Sequence, residues 1–219
     1  MEPRTKYPRT FHLPWSPGAT DDDKTLSDVE HFQGERVLVT EKLDGENTTI
    51  YPDGYLHARS VDGRAHESQN WVRALAASVA PDLPKGWRVC GENLFAQHSI
   101  HYDALGSYFY VFAMYDEEDR CLSWEETMEW AALLGLETAP ALYEGPWDED
   151  AVKACFSGVS RLGGEQEGYV VRVAESFRYA EFPRKVAKFV RANHVPVGDK
   201  HWRAKAVTPN RLRLTSQAG

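Results

Sequence analysis

The 219-residue chain is long enough for one domain with a sizeable core and short for two. Its 42% hydrophobic and 26% charged residues are ordinary for a globular protein; no apolar run could cross a bilayer, and the N-terminus lacks the apolar core of a signal peptide. A net charge of −8 argues against a protein that coats nucleic acid with a basic surface, while leaving room for a local basic groove.

In chain order, residues 1–35 open with a stretch rich in proline and aromatics, Lys6 to Gly18, which reads as an ordered but irregular arm. Asp21–Lys24 reads as a loop or the start of a short helix. The apolar, β-branched run Val37–Thr40 predicts a strand, soon followed by the turn pair Asp44-Gly45. Thr48–Tyr51 and Tyr55–Ala58 flank Asp53-Gly54, a hairpin signal. Trp71, Leu75 and Val79 recur at helical spacing and stop before Pro81. Trp87–Cys90 and Tyr108–Tyr115 read as further strands. In the second, alternation puts Tyr108, Tyr110 and Phe112 on one face and Phe109 and Val111 on the other. Ser123 with Glu126 makes a capping-box signature for a helix running to about Leu134, with Gly135 as its end. Asp148–Phe156 is a third helix candidate, and Tyr169–Val173 and Val186–Val190 are late strands. Hairpin-linked strands with interspersed helices predict an α+β fold with antiparallel sheets flanked by helices, in one domain over 1–219. In the tail, 192–219, Lys200, Arg203, Lys205, Arg211 and Arg213 follow Asp199 with no acidic residue among them. That run is either a solvated terminus or a phosphate-contacting tail. Three widely spaced cysteines, Cys90, Cys121 and Cys155, make neither a disulfide framework nor a zinc knuckle, and a reducing cytoplasm is the natural setting.

The chemistry concentrates in Glu41-Lys42-Leu43-Asp44-Gly45-Glu46-Asn47. A lysine at a strand end beside an Asp-Gly turn holds an amine rigidly at the mouth of a sheet. To attack phosphorus the amine must lose its proton, which desolvation or neighbouring cations favour. Lysine suits that task because its pKa shifts readily, whereas arginine stays charged. Alone, a Lys-x-Asp-Gly string arises by chance. Here it is followed in order by Arg59, by Gly91-Glu92-Asn93-Leu94-Phe95, and by the aromatic strand Tyr108–Tyr115 with Asp116. Glu167-Gly168-Tyr169-Val170-Val171-Arg172 and Lys185-Val186-Ala187-Lys188-Phe189-Val190-Arg191 complete the series. With this ordered set the chain resembles the covalent nucleotidyltransferases: ATP-dependent DNA and RNA ligases and messenger-RNA capping enzymes.

The resemblance implies the adenylation-domain fold of that superfamily, ATP with Mg²⁺ or Mn²⁺, and Lys42 as the nucleophile that takes AMP from the α-phosphate. Asn47 stands where several RNA ligases have asparagine and where DNA ligases and capping enzymes have arginine, which favours an RNA ligase. Glu41 and Asp44 belong to the same nucleotide-binding element. Arg59 is implied as a contact to the nucleotide or to an RNA 5′-phosphate. Glu92 is implied on the ribose hydroxyls, since a carboxylate accepts two hydrogen bonds. Phe112 is implied on the purine face, with Tyr110 as the alternative and core packing the plainer use of such an aromatic stripe. Glu167 is implied as the metal-holding carboxylate. Lys188 is implied as the cation on the α-phosphate, so that Lys42, Glu167 and Lys188 form the catalytic set. Lys185 is a weaker match, because Val186 occupies the first lysine position of the Lys-x-Lys element. For Arg59, Glu92, Glu167, Lys185 and Lys188 the alternative is a solvated surface charge. His98 and His101 look like a metal pair that lacks a third ligand, although Gln97–Tyr102 is similar to a segment of RNA-ligase-like proteins.

The implied partners are RNA ends bearing a 5′-phosphate and a 3′-hydroxyl, with a separate protein to bring or process them as a further expectation. Only 31 residues follow Lys188 (219 − 188), where DNA ligases and capping enzymes carry an OB-fold, so a domain lacking the OB-fold is expected. Two alternatives stand beside the ligase: a nucleotide-binding accessory or sensor module without ligation, and a GTP-using guanylyltransferase of the capping type.

Overall fold

The computed structural model describes residues 4–61, 66–194 and 207–214. Its strands are β1 (Phe11–His12), β2 (Arg36–Lys42), β3 (Glu46–Ile50), β4 (Leu56–His57), β5 (Arg88–Asn93) and β6 (Phe109–Tyr115). They continue with β7 (Arg120–Cys121), β8 (Glu137–Thr138), β9 (Ala141–Pro146), β10 (Gly168–Val173), β11 (Phe177–Arg178) and β12 (Val186–Val190). The helices are α1 (Asn70–Val79), α2 (Trp124–Leu133), α3 (Glu149–Lys153) and α4 (Phe182–Lys185). One sheet has the order β1-β12-β10-β2-β9 and the other β11-β7-β6-β5-β3-β4, with β8 beside β6. All pairings are antiparallel except β1 with β12 and β6 with β8. This is the expected α+β architecture.

Local chemistry accounts for the elements. Ser123 Oγ accepts the Glu126 N–H at 3.2 Å while the Glu126 carboxylate accepts the Ser123 N–H at 2.8 Å, which closes the capping box of α2. Gly135 ends that helix with φ of 66°, a left-handed turn that glycine adopts without steric cost. On α1 the buried stripe is Val72, Ala76 and Val79, with Trp71 and Leu75 on its flank. The third helix is shorter than its apolar pattern suggests. Asp148 caps it through the Ala151 N–H, and it ends at Lys153.

Each sheet buries one face. Val89, Phe109, Val111 and Met114 pack beneath α1 and α2. Val37, Val39, Tyr169, Val171 and Ala187 pack against Leu13, Phe32 and Val152. The N-terminal arm is thus more regular than expected: Phe11 and His12 pair in parallel with Ala187 and Lys188, and Leu13 and Phe32 are fully buried. Strand β9 carries no sequence signal, because an edge strand with both faces largely exposed needs no alternation. The remaining faces of the two sheets turn toward each other across a cleft. Among the described residues, no helix is long and apolar enough to cross a membrane.

Candidate active site

Strand register assembles the cleft from distant sequence. Strand β10 runs antiparallel between β2 and β12, so Gly168 lies opposite both Lys42 and Val190, and Val170 lies opposite both Thr40 and Lys188. Lys42, at the end of β2, therefore meets Glu167, at the start of β10, although 125 residues separate them. Lys188 projects from the same face one row further along. In the facing sheet Asn47, Glu92 and Tyr110 are cross-strand neighbours on β3, β5 and β6. The motif glycines are steric requirements. A Cβ on Gly168 would sit 1.9 Å from the Phe189 carbonyl oxygen, and one on Gly45 would sit 2.5 Å from the Asn93 carbonyl oxygen.

The cleft encloses about 480 Å³, within the usual range for a small-ligand site. Lys42, Asp44, Asn47, Arg59, Glu92, Phe112, Glu167 and Lys188 all line it. Lys42 Nζ lies 2.7 Å from Glu167 Oε1 and 2.8 Å from Oε2. Asp44 Oδ2 accepts the Ser99 N–H at 2.8 Å, the Ser99 hydroxyl at 2.6 Å and the Ile100 N–H at 2.9 Å. Glu92 Oε1 accepts the Gly45 N–H at 3.2 Å. Asn47 Oδ1 is buried and has no hydrogen-bond partner among the described residues. A buried orphan acceptor on a cleft wall suits a ligand that brings its own donor.

Burial and charge set the protonation states. Burial opposes the charge on Lys42, but Glu167, then Glu92 and Asp44, outweigh it, and the amine ends above its ordinary pKa. The expectation of a depressed lysine is therefore not met in the free protein. The carboxylates hold the ammonium form. Burial pushes Glu167 up against the pull of Lys42. It pushes Glu92 up to about 8, again opposed by Lys42. Burial would also raise Asp44, yet the Ser99 hydrogen bond and Lys42 bring it below its usual value. Lys188 is lowered to about 8, by burial first and by the Lys42 charge second.

The aromatic strand resolves toward Phe112. A bulge between the pairs Cys90–Ala113 and Gly91–Val111 leaves Phe112 without a ladder partner, and its ring lines the cleft beside Val170 and Val186. Tyr110 is 2% exposed, outside the lining, with its hydroxyl accepting the Gly106 N–H at 2.7 Å. Two residues depart from expectation. Glu41 counts among the lining residues, but strand alternation turns its side chain to the opposite face from Lys42, where it accepts the Arg161 N–H at 2.9 Å. Lys185 is absent from the lining; at the end of α4 its Nζ lies 2.8 Å from Glu35 Oε1. The displaced lysine has left the strand register that aims Lys188 inward.

Several groups in or behind the cleft carried no sequence signal. His194 Nε2 lies 3.2 Å from Glu167 Oε1 and 3.8 Å from Asp44 Oδ1. Asp44, Glu167 and His194 offer ligand atoms all within 4.8 Å of one another, a donor set that fits a divalent cation. From the arm, His12 and Asp23 reach the cleft, with Asp23 Oδ1 3.5 Å from His12 Nε2 and 3.8 Å from Lys188 Nζ. Asn210 in the tail is 2% exposed; its Nδ2 donates to the Leu94 carbonyl at 2.8 Å and its Oδ1 accepts the Tyr102 N–H at 2.9 Å. The Tyr102 hydroxyl in turn accepts the Asp44 N–H at 2.9 Å, so this part of the tail braces the segment that holds Asp44. Lys200, Arg203 and Lys205, part of the basic run in the tail, lie outside the described residues.

A lysine–carboxylate pair, partly exposed at Lys42 and buried at Glu167, thus lies between two antiparallel sheets with Lys188 and Phe112 beside it. The RNA ligase family model matches residues 35–190, and the chain belongs to that family. Solved structures of an RNA ligase from Naegleria gruberi share the fold. One with pyrophosphate is 19% identical, with a TM-score of 0.57, and the match covers 87% of this chain and 61% of that one. A variant with ATP and Mn is 17% identical, with a TM-score of 0.56 and coverage of 85% and 61%. Another variant, with AMP and Mn, is 16% identical, with a TM-score of 0.54 and coverage of 85% and 62%. The match thus spans about three fifths of the length of those chains. A comparison with curated proteins gives no significant match.

Proposed function

We propose that the protein is an ATP-dependent RNA ligase that joins a 5′-phosphate to a 3′-hydroxyl through lysyl-AMP and RNA-adenylate intermediates. The observation that carries this reading is the Lys42–Glu167 contact of 2.7 Å inside a cleft shared with Lys188, Glu92 and Phe112. Lys42 Nζ attacks the α-phosphorus of ATP; the N–P bond forms as the bond to pyrophosphate breaks. Nζ must first shed the proton that the Glu167 carboxylate helps it hold in the free protein; a cation drawn to that carboxylate would weaken the contact, and the neighbouring Lys188 charge favours the neutral amine. Lys188 contributes positive charge where the phosphoryl oxygens gather it. Glu92 and the orphaned Asn47 Oδ1 supply acceptors for ribose hydroxyls, and Phe112 a face for the purine. Glu167 and Asp44, with His194 beside them, would hold Mg²⁺ or Mn²⁺, which neutralises phosphate charge. AMP then passes to an RNA 5′-phosphate, and a 3′-hydroxyl displaces it to seal the strand.

The test is incubation with Mg²⁺ or Mn²⁺ and ATP labelled on the α-phosphate, followed by a denaturing gel. Covalent label on the protein, lost in Lys42→Ala, is the expected result. ATP binding without label would instead identify an accessory or sensor module, and a preference for GTP would move the protein to capping-type chemistry.

A further inference from the structure

Beside the catalytic cleft lies a second hollow, lined by Lys6, Tyr7, Pro8, Arg9, Arg59, Ser60 and Tyr179. Three of its seven lining residues are cations and none is an anion, in a chain whose net charge is −8. Such local segregation is what a polyanion needs to approach an otherwise repelling surface. Tyr7, Pro8, Arg59 and Ser60 also line the catalytic cleft, so the two spaces are continuous.

The hollow is built rather than incidental. The Tyr179 hydroxyl donates to the Lys6 carbonyl at 2.8 Å, and the Tyr7 ring packs edge-on against Phe112 at 4.9 Å and Phe182 at 5.2 Å. These contacts pin the arm across the cleft mouth and hold its cations there. Lys6 and Arg59 have no carboxylate within 4.0 Å among the described residues. Arg9 donates one N–H to the Asp22 carbonyl at 2.6 Å and lies 3.8 Å from Asp23 Oδ1, a long pair at a solvent-exposed guanidinium that leaves most of its five N–H groups available. The ligand is also constrained by size. The inner cleft already matches a nucleotide in volume, whereas Lys6, Arg9, Arg59 and Ser60 are all exposed and suit something that continues outward.

We propose that Lys6, Arg9 and Arg59 form a track for the phosphodiester backbone of the RNA strand whose 5′-phosphate enters the cleft. This inference rests on the ligase reading and adds to it the surface that grips the strand. Single-stranded substrate fits the arrangement, since backbone cations flanked by tyrosine rings read charge and stacking rather than sequence.

The experiment titrates a fluorescent, 5′-phosphorylated single-stranded RNA against the full chain, in parallel with label transfer from ATP in the absence of RNA. Lys6→Ala and Arg9→Ala, both at exposed positions, are each expected to weaken RNA binding about 3- to 10-fold at low salt. Each is expected to flatten the log–log salt dependence by about 0.7, the slope of one single-strand phosphate contact. Label transfer stays within about twofold of the parent. Unchanged RNA affinity in the double variant overturns the track, as does a parent that takes label yet binds no RNA. Equal loss of label transfer and of its reversal by pyrophosphate also overturns it, assigning the cations to the outer phosphates of ATP. A parent that takes no label breaks the ligase reading itself, a failure visible without the RNA titration.

Discussion

The two sheets that face each other across the cleft divide the work unequally. The β12-β10-β2 side carries Lys42, Glu167 and Lys188, the groups to which the proposed reaction assigns a change of charge. The β3-β5-β6 side carries Asn47, Glu92 and Phe112, groups that suit holding a nucleoside. On the first side ladder register sets the backbone positions: Gly168 lies opposite Lys42 and Val170 opposite Lys188. On the second side a bulge releases Phe112 from the ladder and turns it toward the ligand space. Lys42 and Lys188 sit where backbone hydrogen bonds fix the main chain, and Phe112 sits where the ladder is interrupted.

The comparison breaks first on the reactive side. Glu167→Gln and Lys188→Ala are each expected to slow lysine adenylylation on the order of a hundredfold or more, measured as single-turnover label transfer. Near-parental rates in either would remove that residue from the reactive set. On the recognition side, Phe112→Ala and Glu92→Ala are expected to raise KM for ATP about tenfold with a smaller change in kcat, since a stacked base contributes about 1–3 kcal/mol and a buried hydrogen bond a comparable amount. An equal loss in kcat would erase the division between the sheets. A pH profile sharpens it further. Burial and the Lys42 charge lower Lys188 to about 8 in the free protein, so if it is the phosphate-binding cation of the proposed reaction, kcat/KM for ATP is expected to fall as pH rises through about 8. Lys188→Arg, which stays charged, is expected to remove that alkaline limb; an unchanged limb would assign it to another group. The smallest effect belongs to Lys185→Ala, less than about twofold on label transfer, because its partly exposed pair with Glu35 lies away from the cleft.

The α+β class, the capping box of α2, the Asp53-Gly54 hairpin and the strands around Lys42, Glu167 and Lys188 were legible in the sequence because each obeys a local rule. Alternation, helical spacing and turn chemistry act over a few residues, so they survive without knowledge of the neighbours. The ordered motifs, from Lys42 to Lys188, marked the family for the same reason. Phe112 could not be separated from Tyr110 that way, because the bulge that divides them depends on how β5 meets β6.

Tertiary structure alone decided which charges meet. His12, Asp23, His194 and Asn210 stand in segments without periodicity; the first two join the site because the arm pairs beside β12, His194 reaches Glu167, and Asn210 braces the Asp44 segment from behind. It also decided the protonation of Lys42: composition places an amine near a turn, but only the packing of β10 against β2 surrounds it with carboxylates that keep its proton. Sequence fixes what each strand can present. The register between strands, set by long-range pairing and by glycines that permit close approach, determines what each side chain faces.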